Sequence, residues 1–405
     1  MTEHIIFHID VNSAFLSWTA LERLQAGDTV DLRNIPSIIG GDIAKRHGVV
    51  LAKSIPAKAY GIVTGEPVVN AFRKCPHLVS ASPNHEMYTA KSNALMAHLS
   101  NICPDIEKVS IDECFMNYTP ISSRYTSPEA AAELIKNTIY EKFGFTVNIG
   151  ISDRKILAKM ASDFKKPNLV HTLYSYEICE KMWPLPVSSL FMCGRSSAET
   201  LRKLGIVTIG ELANASPSIL EAHLKSHGIT LWKYANGEDF SEVIPEPSKA
   251  KGIGNSTTLS TDVTTREDAC KVLLALAESV GKRLRTSKQL AGLVCTEIKY
   301  HTFQSVSHQM PLDTPTASTD LIYQKACVLF DELWDGTPIR LLGIRTTKLT
   351  AEDDPIQLNL FDYMKPVSEK QQRLDAALDS IRNRYGKDSI KRGSLLDSLD
   401  FTTKK

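Results

Sequence analysis

The sequence lacks the features that would assign it to a membrane, secreted or zinc-thiolate protein. In its 405 residues no apolar run approaches the roughly 18 to 20 residues needed to cross a bilayer, and residues 1–10 show neither a basic region nor an apolar core of a signal peptide. The eight cysteines include no C-x-x-C pair, which argues against a zinc site and a disulfide framework. We therefore expect a soluble, cytoplasmic protein with reduced thiols and no membrane contact.

An excess of charge of either sign is also missing. Lysine and arginine number 47 and aspartate and glutamate 46, so the net charge of +1 favours no class of partner. A nucleic-acid-binding protein with this balance must gather its basic residues on one surface. Two local clusters fit that requirement, namely Lys155, Lys159, Lys165 and Lys166, and Lys282, Arg283, Arg285 and Lys288. Taken alone, each cluster is more often a solvated helix face.

The amino-acid composition is average for a globular protein, with 42% hydrophobic and 23% charged residues. Collagen-like, coiled-coil and fully disordered chains are excluded by it. A chain of 405 residues exceeds a single domain, and at about 100 to 150 residues per domain it should form three or four.

The first 170 residues alternate strand and helix patterns. Residues 4–11 form an apolar run that predicts a buried strand ending near Asp10, and the spacing of apolar residues from Phe15 to Leu24 predicts an amphipathic helix after it. Residues 30–83 are broken by proline and glycine and predict a small irregular subdomain. From residue 84 the alternation resumes, with helices at about 85–100, 128–143 and 153–165 and strands at about 106–109, 114–118 and 146–151. We interpret these residues as an α+β domain with an insertion.

The rest of the chain predicts a helical segment, a linker, a second α+β unit and a tail. Residues 184–236 show short helical patterns. Residues 241–250 contain acids and prolines without periodicity, as in a linker. Residues 251–350 predict four strands and two long helices. Beyond them the chain is polar, apart from an apolar cluster at 357–361 and a charged helix at about 368–385, so we expect a partly ordered tail.

Three carboxylates lie at the ends of predicted strands. Asp10 ends the first strand, and Asp112 and Glu113 lie between the strands of a predicted hairpin. Adjacent residues on a straight strand face opposite ways, so both acids converge only where the hairpin bends. Converging carboxylates repel one another unless divalent cations separate them, and an all-oxygen ligand set suits Mg²⁺. Such a set is what phosphoryl transfer by two metal ions requires. An Asp after a strand and an Asp-Glu pair are more often found without any metal, so the pattern alone does not establish a metal site.

Three motifs occur together and in order: Asp10–Phe15 (DVNSAF), Ser110–Phe115 (SIDECF), and the segment from Ile149-Gly150-Ile151-Ser152 through Lys155 and Lys159 to Lys166-Pro167-Asn168. Together they resemble the Y-family translesion DNA polymerases, close to the bacterial DNA polymerase IV group and its Gram-positive members. The resemblance runs from residue 5 to about 350 and extends to the tail. It implies a template-directed DNA polymerase of low processivity and fidelity, which adds dNTPs to a primer 3′-end in translesion synthesis and DNA repair.

The resemblance also implies a multidomain, right-hand α+β architecture. The palm comprises residues 1–13 and 84–170, and the small fingers comprise residues 14–83. A helical thumb with a helix-hairpin-helix occupies residues 171–240, followed by a linker at 241–250. An α+β little finger occupies residues 251–350, and residues 351–405 form a tail with a clamp-binding peptide.

Site residues follow by the same resemblance. Two Mg²⁺ ions are implied at Asp10, Asp112 and Glu113, with the Val11 carbonyl as a further ligand. Phe15 is implied as a steric gate whose ring excludes a ribose 2′-hydroxyl, although its helical face is also typical of a core residue.

The implied triphosphate contacts are Lys58 and Lys166. Here the fingers depart from the family, because Ala52, Ile55 and Lys58 stand where Thr, Tyr and Arg are usual. A lysine lacks the bidentate fork of an arginine, so Lys53 and Ser54 are candidates to assist nucleotide binding.

Contacts to primer-template DNA are implied in the thumb and little finger. Residues 190–205 resemble a helix-hairpin-helix that offers backbone N–H groups of Gly194 to phosphates, but Met192 stands where a second glycine is usual. In the little finger, the strand that begins at Lys251 and the basic residues Lys282, Arg283 and Arg285 would follow the duplex backbone. A solvated face is the alternative.

The tail segment Gln357-Leu358-Asn359-Leu360-Phe361 resembles the Q-L-x-L-F peptide that binds the replicative sliding clamp (the beta clamp). Gln357, Leu358, Leu360 and Phe361 would make the contacts, and the polymerase itself is expected to be a monomer. The alternative is that these apolar residues pack on the little finger.

Two other functions remain open. A polymerase-like scaffold could bind DNA and clamp without catalysis, but such a protein is expected to lack the three carboxylates that this chain retains. A nucleotidyl cyclase shares a palm-like fold and an acidic two-metal site, but it has no duplex for a thumb and little finger to hold.

Overall fold

The structure is a computed structural model of the chain, and it describes residues 4–42, 48–246, 249–354, 369–386 and 389–395. The chain divides into two compact units, Met1–Gly41 with Val49–Pro247 and Asp42–Gly48 with Ser248–Lys405. The division after residue 247 lies within the predicted linker. Across the described ranges no helix has the length and apolar character to cross a membrane.

The first unit contains eight strands and ten α-helices in its described residues. The strands are β1 (Ile6–Val11), β2 (Ser37–Gly40), β3 (Val50–Lys53), β4 (Val79–Ala81), β5 (Ile106–Lys108), β6 (Glu113–Asn117), β7 (Val147–Ser152) and β8 (Val170–Thr172). The helices are α1 (Ala14–Gln25), α2 (Ile55–Ala59), α3 (Val68–Lys74), α4 (His85–Ile102), α5 (Pro128–Phe143), α6 (Lys155–Ser162), α7 (Ile178–Lys181), α8 (Arg195–Lys203), α9 (Ile209–Ala213) and α10 (Pro217–Ala235). Every strand and helix predicted for residues 84–165 is confirmed to within a few residues.

A five-stranded sheet of order β5-β6-β1-β7-β8 forms the centre of this unit. The central strand β1 is antiparallel to both β6 and β7. Because side chains alternate along a strand, Phe7, Ile9 and Val11 pack into one core with α4 and α5, whereas His8 and Asp10 face the other side. The sheet therefore has one apolar face and one face that carries ionisable groups.

Helix α6 covers the ionisable face and approaches β7 very closely. A Cβ atom at Gly150 would lie 2.0 Å from the Ala158 carbonyl oxygen, so no larger residue fits between this strand and the helix. The close approach places the side chains of α6 directly over the strands that carry the carboxylates.

The insertion between α1 and α4 contains a small mixed sheet of order β3-β2-β4. Strand β2 is antiparallel to β3 and parallel to β4, and Ile38, Val50 and Val68 pack in its core. The prediction of an irregular subdomain was wrong for these residues. Strands of only three or four residues are too short to show an alternating pattern, so proline and glycine dominated the local signal.

Helices α7 to α10 form a separate apolar core at the end of the first unit. Leu190, Leu201, Leu212 and Leu231 pack there against Ile156 and Leu157 on the outer side of α6. The helical prediction for residues 184–236 is confirmed.

The second unit is a four-stranded antiparallel sheet with helices on one face. Its elements are β9 (Gly252–Val263), α11 (Arg266–Thr286), β10 (Gln289–Tyr300), β11 (Ser305–Thr316), α12 (Thr319–Leu333), β12 (Ile339–Ala351) and α13 (Glu369–Tyr385). The strand order is β11-β10-β12-β9, and α11 and α12 pack on it through Leu273, Val280 and Phe330. The α+β prediction for residues 251–350 is confirmed element by element.

The tail helix α13 docks onto the second unit through ion pairs. Asp375 is only 2% exposed and accepts a hydrogen bond of 3.1 Å from the Thr319 backbone N–H. Arg285 on α11 pairs with Asp379 at 2.6 Å and with Asp375 at 3.4 Å. Arg382 pairs with Glu278 of α11 at 3.1 Å. The charged helix predicted at about 368–385 in a partly ordered tail is confirmed by α13. Its docking was not predicted, because long-range ion pairs leave no periodic signal in a sequence.

Candidate active site

Strand register brings the first carboxylate next to the third. Asp10 on β1 lies directly opposite Glu113 on β6, and on its other side it lies opposite Asn148 on β7. Directly opposed residues in an antiparallel pair point to the same face of the sheet. Asp10 and Glu113 consequently share the face that α6 covers.

The bend between β5 and β6 brings in Asp112. The Val109 and Ser110 N–H groups both donate to the Glu113 carbonyl, at 3.1 and 3.2 Å, which closes the turn. The Val11 N–H donates to the Asp112 carbonyl at 3.0 Å and ties the turn to the end of β1. The Ser110 hydroxyl donates to Asp112 Oδ1 at 2.7 Å and orients the carboxylate.

The three carboxylates influence one another electrostatically. Burial raises the pKa of Asp112 above its ordinary value, and the charges of Asp10 and Glu113 raise it further, against the lowering effect of the Ser110 hydrogen bond. This edge of the sheet therefore concentrates negative charge in a partly desolvated place, where a cation is favourable.

Two lysines on or after α6 pair with these carboxylates. Lys159 Nζ lies 2.7 Å from Glu113 Oε2, and Lys166 contacts Asp10 and lies 2.8 Å from Asp163. The pKa of Lys159 is raised, because its pairing with Glu113, Asp163 and Asp10 outweighs the lowering effect of burial. Two members of the first basic cluster, Lys159 and Lys166, therefore neutralise carboxylates of the site.

His8 is a site residue that the sequence analysis missed. Its imidazole is fully buried, with Nδ1 2.8 Å from the Ser162 hydroxyl and Nε2 3.2 Å from Glu113 Oε2. Burial lowers the pKa of His8. The His8 imidazole, followed by Lys159, holds the pKa of Glu113 down to about 2. The available signal was its position two residues before Asp10, which places both side chains on one strand face.

The residues present fit a divalent cation by donor chemistry. Asp10, Asp112 and Glu113 offer only oxygen ligands at one sheet edge, as Mg²⁺ prefers. Within the described residues, no three Asp, Glu, His or Cys side chains are already arranged to enclose a metal ion. Instead, Lys159 and Lys166 supply the compensating positive charge to two of the carboxylates.

Phe15 lies near the start of α1 and is half-buried. Its ring stacks on that of Tyr88 with centroids 4.4 Å apart and planes 7° apart, and His85 meets its edge at 6.0 Å. Trp18, one turn further along α1, is fully buried. The stack positions the Phe15 ring rigidly while leaving part of it accessible, which is compatible with both the gate and the core interpretation.

Lys58 lies exposed on α2 in the insertion. The pKa of the neighbouring Lys53 is lowered by burial and then by the charge of Lys58, so the two ammonium groups are close enough to repel each other. They form a small basic site. The sequence analysis predicted Lys58 as a triphosphate contact and named Lys53 as a candidate to assist it.

The predicted hairpin of the thumb has an unusual residue in its turn. Met192 is 51% exposed and adopts a φ of 66°, the left-handed region that favours glycine. Gly194 caps α8, and a Cβ there would meet no atom within 4 Å. The backbone at Gly194 is therefore open to a close approach even though Met192 replaces the second glycine.

The predicted DNA-binding residues of the little finger differ in their exposure and in their partners. Lys251 and Arg283 are exposed, and Arg283 donates to the Gly254 carbonyl at 2.7 Å. Lys282 donates to Asn383 of α13 at 2.7 Å, and Arg285 is engaged by Asp375 and Asp379. Arg285 thus holds the tail helix rather than presenting its guanidinium to a duplex. The predicted clamp residues Gln357, Leu358, Leu360 and Phe361 lie outside the described residues.

Comparison with known proteins adds independent findings. Residues 9–163 match the impB/mucB/samB family, and residues 250–360 match the C-terminal domain of the same family. The chain is 46% identical over 393 residues to a DNA polymerase IV of Clostridium acetobutylicum, covering 97% of this chain and 98% of that relative. It is 35% identical over 404 residues to DNA polymerase IV 1 of Bacillus subtilis, covering 99% of this chain and 95% of that relative.

Among solved structures, a Y-family DNA polymerase chimera (Dbh-Dpo4(243-245)-Dbh) has a similar fold, with a TM-score of 0.73 over 88% of this chain and 100% of that chain at 22% identity. The fold, the order of the motifs and these relatives agree with one another. The chain therefore belongs to the impB/mucB/samB family, is related along its length to bacterial DNA polymerase IV, and has the fold of a Y-family DNA polymerase.

Proposed function

We propose that this DNA-directed DNA polymerase extends primers past damaged template bases, with low processivity and two Mg²⁺ ions held by Asp10, Asp112, Glu113 and the Val11 carbonyl. The observation that carries the proposal is the placement of Asp10 opposite Glu113, with Asp112 attached to the same strand by the Val11 hydrogen bond. An acidic edge of this kind is suited to phosphoryl transfer, in which the protein mainly supplies position and charge.

Each neighbouring side chain has a definite task in this site. His8 and Lys159 contact Glu113 Oε2 from two directions and hold that carboxylate in place and ionised. Ser110 orients Asp112. Bound Mg²⁺ would supply Lewis-acid activation of the primer 3′-hydroxyl and neutralise charge on the triphosphate.

Nucleotide binding is assigned to Lys58, Lys166 and Phe15. Lys166 already contacts Asp10, so its ammonium lies where a triphosphate bound beside that carboxylate would meet it. Lys58, supported by Lys53, would contact the same triphosphate from α2. The Phe15 ring, held by Tyr88, would limit the space available to a 2′-hydroxyl.

The primer extension reaction itself is the first test. The purified protein with Mg²⁺ should add a few nucleotides per binding event to an undamaged primer-template and also extend opposite an abasic template site. The extension reaction contains a DNA trap that captures dissociated polymerase, so the product length on a gel measures processivity. If the protein bound the duplex but added no nucleotide with any divalent cation, the polymerase-like scaffold would be the correct function.

Duplex binding is assigned to the thumb hairpin at Gly194 and to part of the second unit. Alternation along β12 sends Leu342 and Ile344 into the helix-covered core, so Gly343 and Arg345 face away from α11 and α12. Ser256 and Glu297 lie opposite Gly343 on the two neighbouring strands and share this open face. With the Ser256 hydroxyl and exposed Arg345, the open face offers hydroxyl and cationic donors to phosphates. Exposed Lys251 lies just before the start of β9.

A salt titration distinguishes the open face from the helix layer. Arg345→Ala should weaken DNA binding and lower the slope of log Kd against log salt by about one. The matched control is Lys282→Ala, which removes a lysine that contacts Asn383 on the helix side and should leave the slope unchanged. If Lys282→Ala alone lowered the slope, the duplex would instead contact the side of the second unit that carries the helices.

Recruitment by the sliding clamp is assigned to Gln357, Leu358, Leu360 and Phe361. In the sequence these residues follow β12 and precede α13, and both of those elements belong to the second unit. A short peptide of this type binds through a few apolar anchors in a preformed groove. We also place the enzyme in the cytoplasm, in keeping with its eight free cysteines, and propose that it acts as a monomer.

Calorimetry with a peptide of residues 352–364 tests the clamp contact. The peptide should bind purified clamp, and a peptide carrying Leu360→Ala and Phe361→Ala should lose binding by at least about 100-fold, since two buried anchors are removed. In the full chain the same double variant should lose clamp-stimulated synthesis and retain clamp-free extension. A lowered melting temperature with unchanged clamp stimulation would instead make these residues a packing element.

A further inference from the structure

Helices α11 and α12 pack side by side in opposite directions and contact each other near both ends. At one end Arg266 forms a two-pronged ion pair with Asp331, at 2.6 and 2.7 Å. One turn further along each helix, Cys270 Sγ lies 3.6 Å from Cys327 Sγ. Near the other end, a Cβ on Gly281 would lie 2.8 Å from the Thr319 hydroxyl, so that glycine permits close contact between the helices. The approach of the two thiols is thus set by the packing of the helix pair.

The two sulfur atoms differ in their surroundings. The Cys327 thiol donates to Cys270, and Arg266 lies one turn away on the same side of α11. The hydrogen bond from Cys327, followed by the charge of Arg266, lowers the pKa of Cys270 to about 7, and the same hydrogen bond raises the pKa of Cys327. Cys270 is therefore the sulfur that ionises, and a thiolate is the reactive form of cysteine.

A small oxidant can reach this pair from the side of Cys327, which is partly exposed. Cys270 beside it is buried, with 8% of its surface exposed. Cys75, Cys103, Cys114, Cys193 and Cys295 are also buried. Cys179 is exposed and is the natural competitor for the oxidant.

We propose that Cys270 and Cys327 form a reversible disulfide that responds to hydrogen peroxide and joins the two helices of the second unit. This modification is separate from polymerisation and involves none of the residues assigned to the active site or to DNA. The disulfide would link α11 to α12 covalently. Because the two cysteines are 57 residues apart in the sequence, this link should stabilise the second unit against unfolding.

The chemistry balances in two steps. The Cys270 thiolate attacks one peroxide oxygen, the O–O bond breaks, and the departing hydroxide takes a proton to become water, leaving a sulfenic acid on Cys270. The Cys327 sulfur then attacks the Cys270 sulfur, the S–O bond breaks, and hydroxide leaves as water with the Cys327 proton. The two thiols lose two electrons and peroxide is reduced to two waters. A dithiol reverses the bond by exchange.

Closure requires only local movement. The sulfur atoms must approach from 3.6 Å to about 2.05 Å, a change that rotation about the cysteine side-chain bonds and a small helix shift can supply.

The test uses the full-length protein treated with a slight excess of hydrogen peroxide, followed by denaturation and alkylation. We expect six alkylated cysteines instead of eight, a mass loss of two hydrogens, and a single linked peptide pair containing Cys270 and Cys327. Dithiothreitol should restore eight alkylated cysteines. The oxidised protein should melt about 5 °C or more above the reduced one.

Variants separate this pair from other thiols. Cys179→Ser should leave the Cys270–Cys327 link unchanged, with five alkylated cysteines after peroxide instead of its seven. Cys327→Ser should abolish the link and leave a sulfenic acid on Cys270 that dimedone traps. Eight alkylated cysteines after peroxide, or a link that involves any other cysteine, would overturn the proposal. Because peptide mapping of the unmodified sequence is decisive by itself, poor folding of a variant does not prevent the test.

Discussion

Replacement of Asp112 by alanine is expected to lower the rate of primer extension by at least about 10³-fold, which corresponds to about 4 kcal/mol of transition-state stabilisation. Asp112 is carried to the end of β1 by the hydrogen bond between its carbonyl and the Val11 N–H, and its carboxylate is oriented by Ser110. The alanine variant removes the carboxylate without touching the backbone contact. Asp10→Ala and Glu113→Ala are expected to have effects of the same order.

The measurement is single-turnover extension at saturating dNTP and Mg²⁺, with duplex affinity determined in parallel. Duplex affinity should be unchanged, because the residues assigned to DNA lie in the thumb and in the second unit. The matched control is Glu107→Gln, which alters another carboxylate paired with a lysine of α6, since Glu107 lies 2.7 Å from Lys155. If Glu107→Gln abolished extension as fully as Asp112→Ala, the loss would reflect disruption of α6 rather than loss of a metal ligand.

Replacement of Phe15 by alanine is expected to raise the use of ribonucleotides relative to deoxyribonucleotides by at least about tenfold, because the smaller side chain leaves room for the 2′-hydroxyl. The ring is held flat against Tyr88 at 4.4 Å and is half-buried, so a cost in stability accompanies the change. The ratio of kcat/KM for an rNTP to that for the matching dNTP is the quantity to measure.

Trp18→Leu is the control for the packing interpretation of Phe15. Trp18 lies on the same face of α1 and is fully buried, so this change should lower the free energy of unfolding by about 3 kcal/mol without altering sugar choice. If Phe15→Ala lowered the melting temperature in the same way and left the sugar ratio unchanged, Phe15 would be a core residue and the gate would be absent from this position.

The sequence alone determined most of the local structure of the chain. The apolar run at residues 4–11 predicted β1, and the segments around residues 128–143 and 265–286 predicted α5 and α11 closely. These elements are long or strongly periodic, so their patterns express the same burial that stabilises them in the fold. The three motifs in order were also sufficient to indicate the family.

Only the tertiary structure decided how distant residues meet. The pairing of Asp10 with Glu113 depends on strand register, and the roles of His8 and Lys159 depend on α6 lying against Gly150. None of these contacts is local, so no window of sequence contains them.

The same reason explains the corrected predictions. Residues 282–288 form a basic run in the sequence, but Arg285 meets Asp375 and Asp379, which lie about 90 residues later in the chain. Likewise, Cys270 and Cys327 carry no recognisable spacing, and only the antiparallel packing of α11 and α12 places their sulfur atoms 3.6 Å apart. The sequence by itself determined the elements and the carboxylates that they carry, because those depend on local periodicity and residue type. Which charges and thiols are paired was decided by tertiary packing, because register and helix contacts join residues that are remote along the chain.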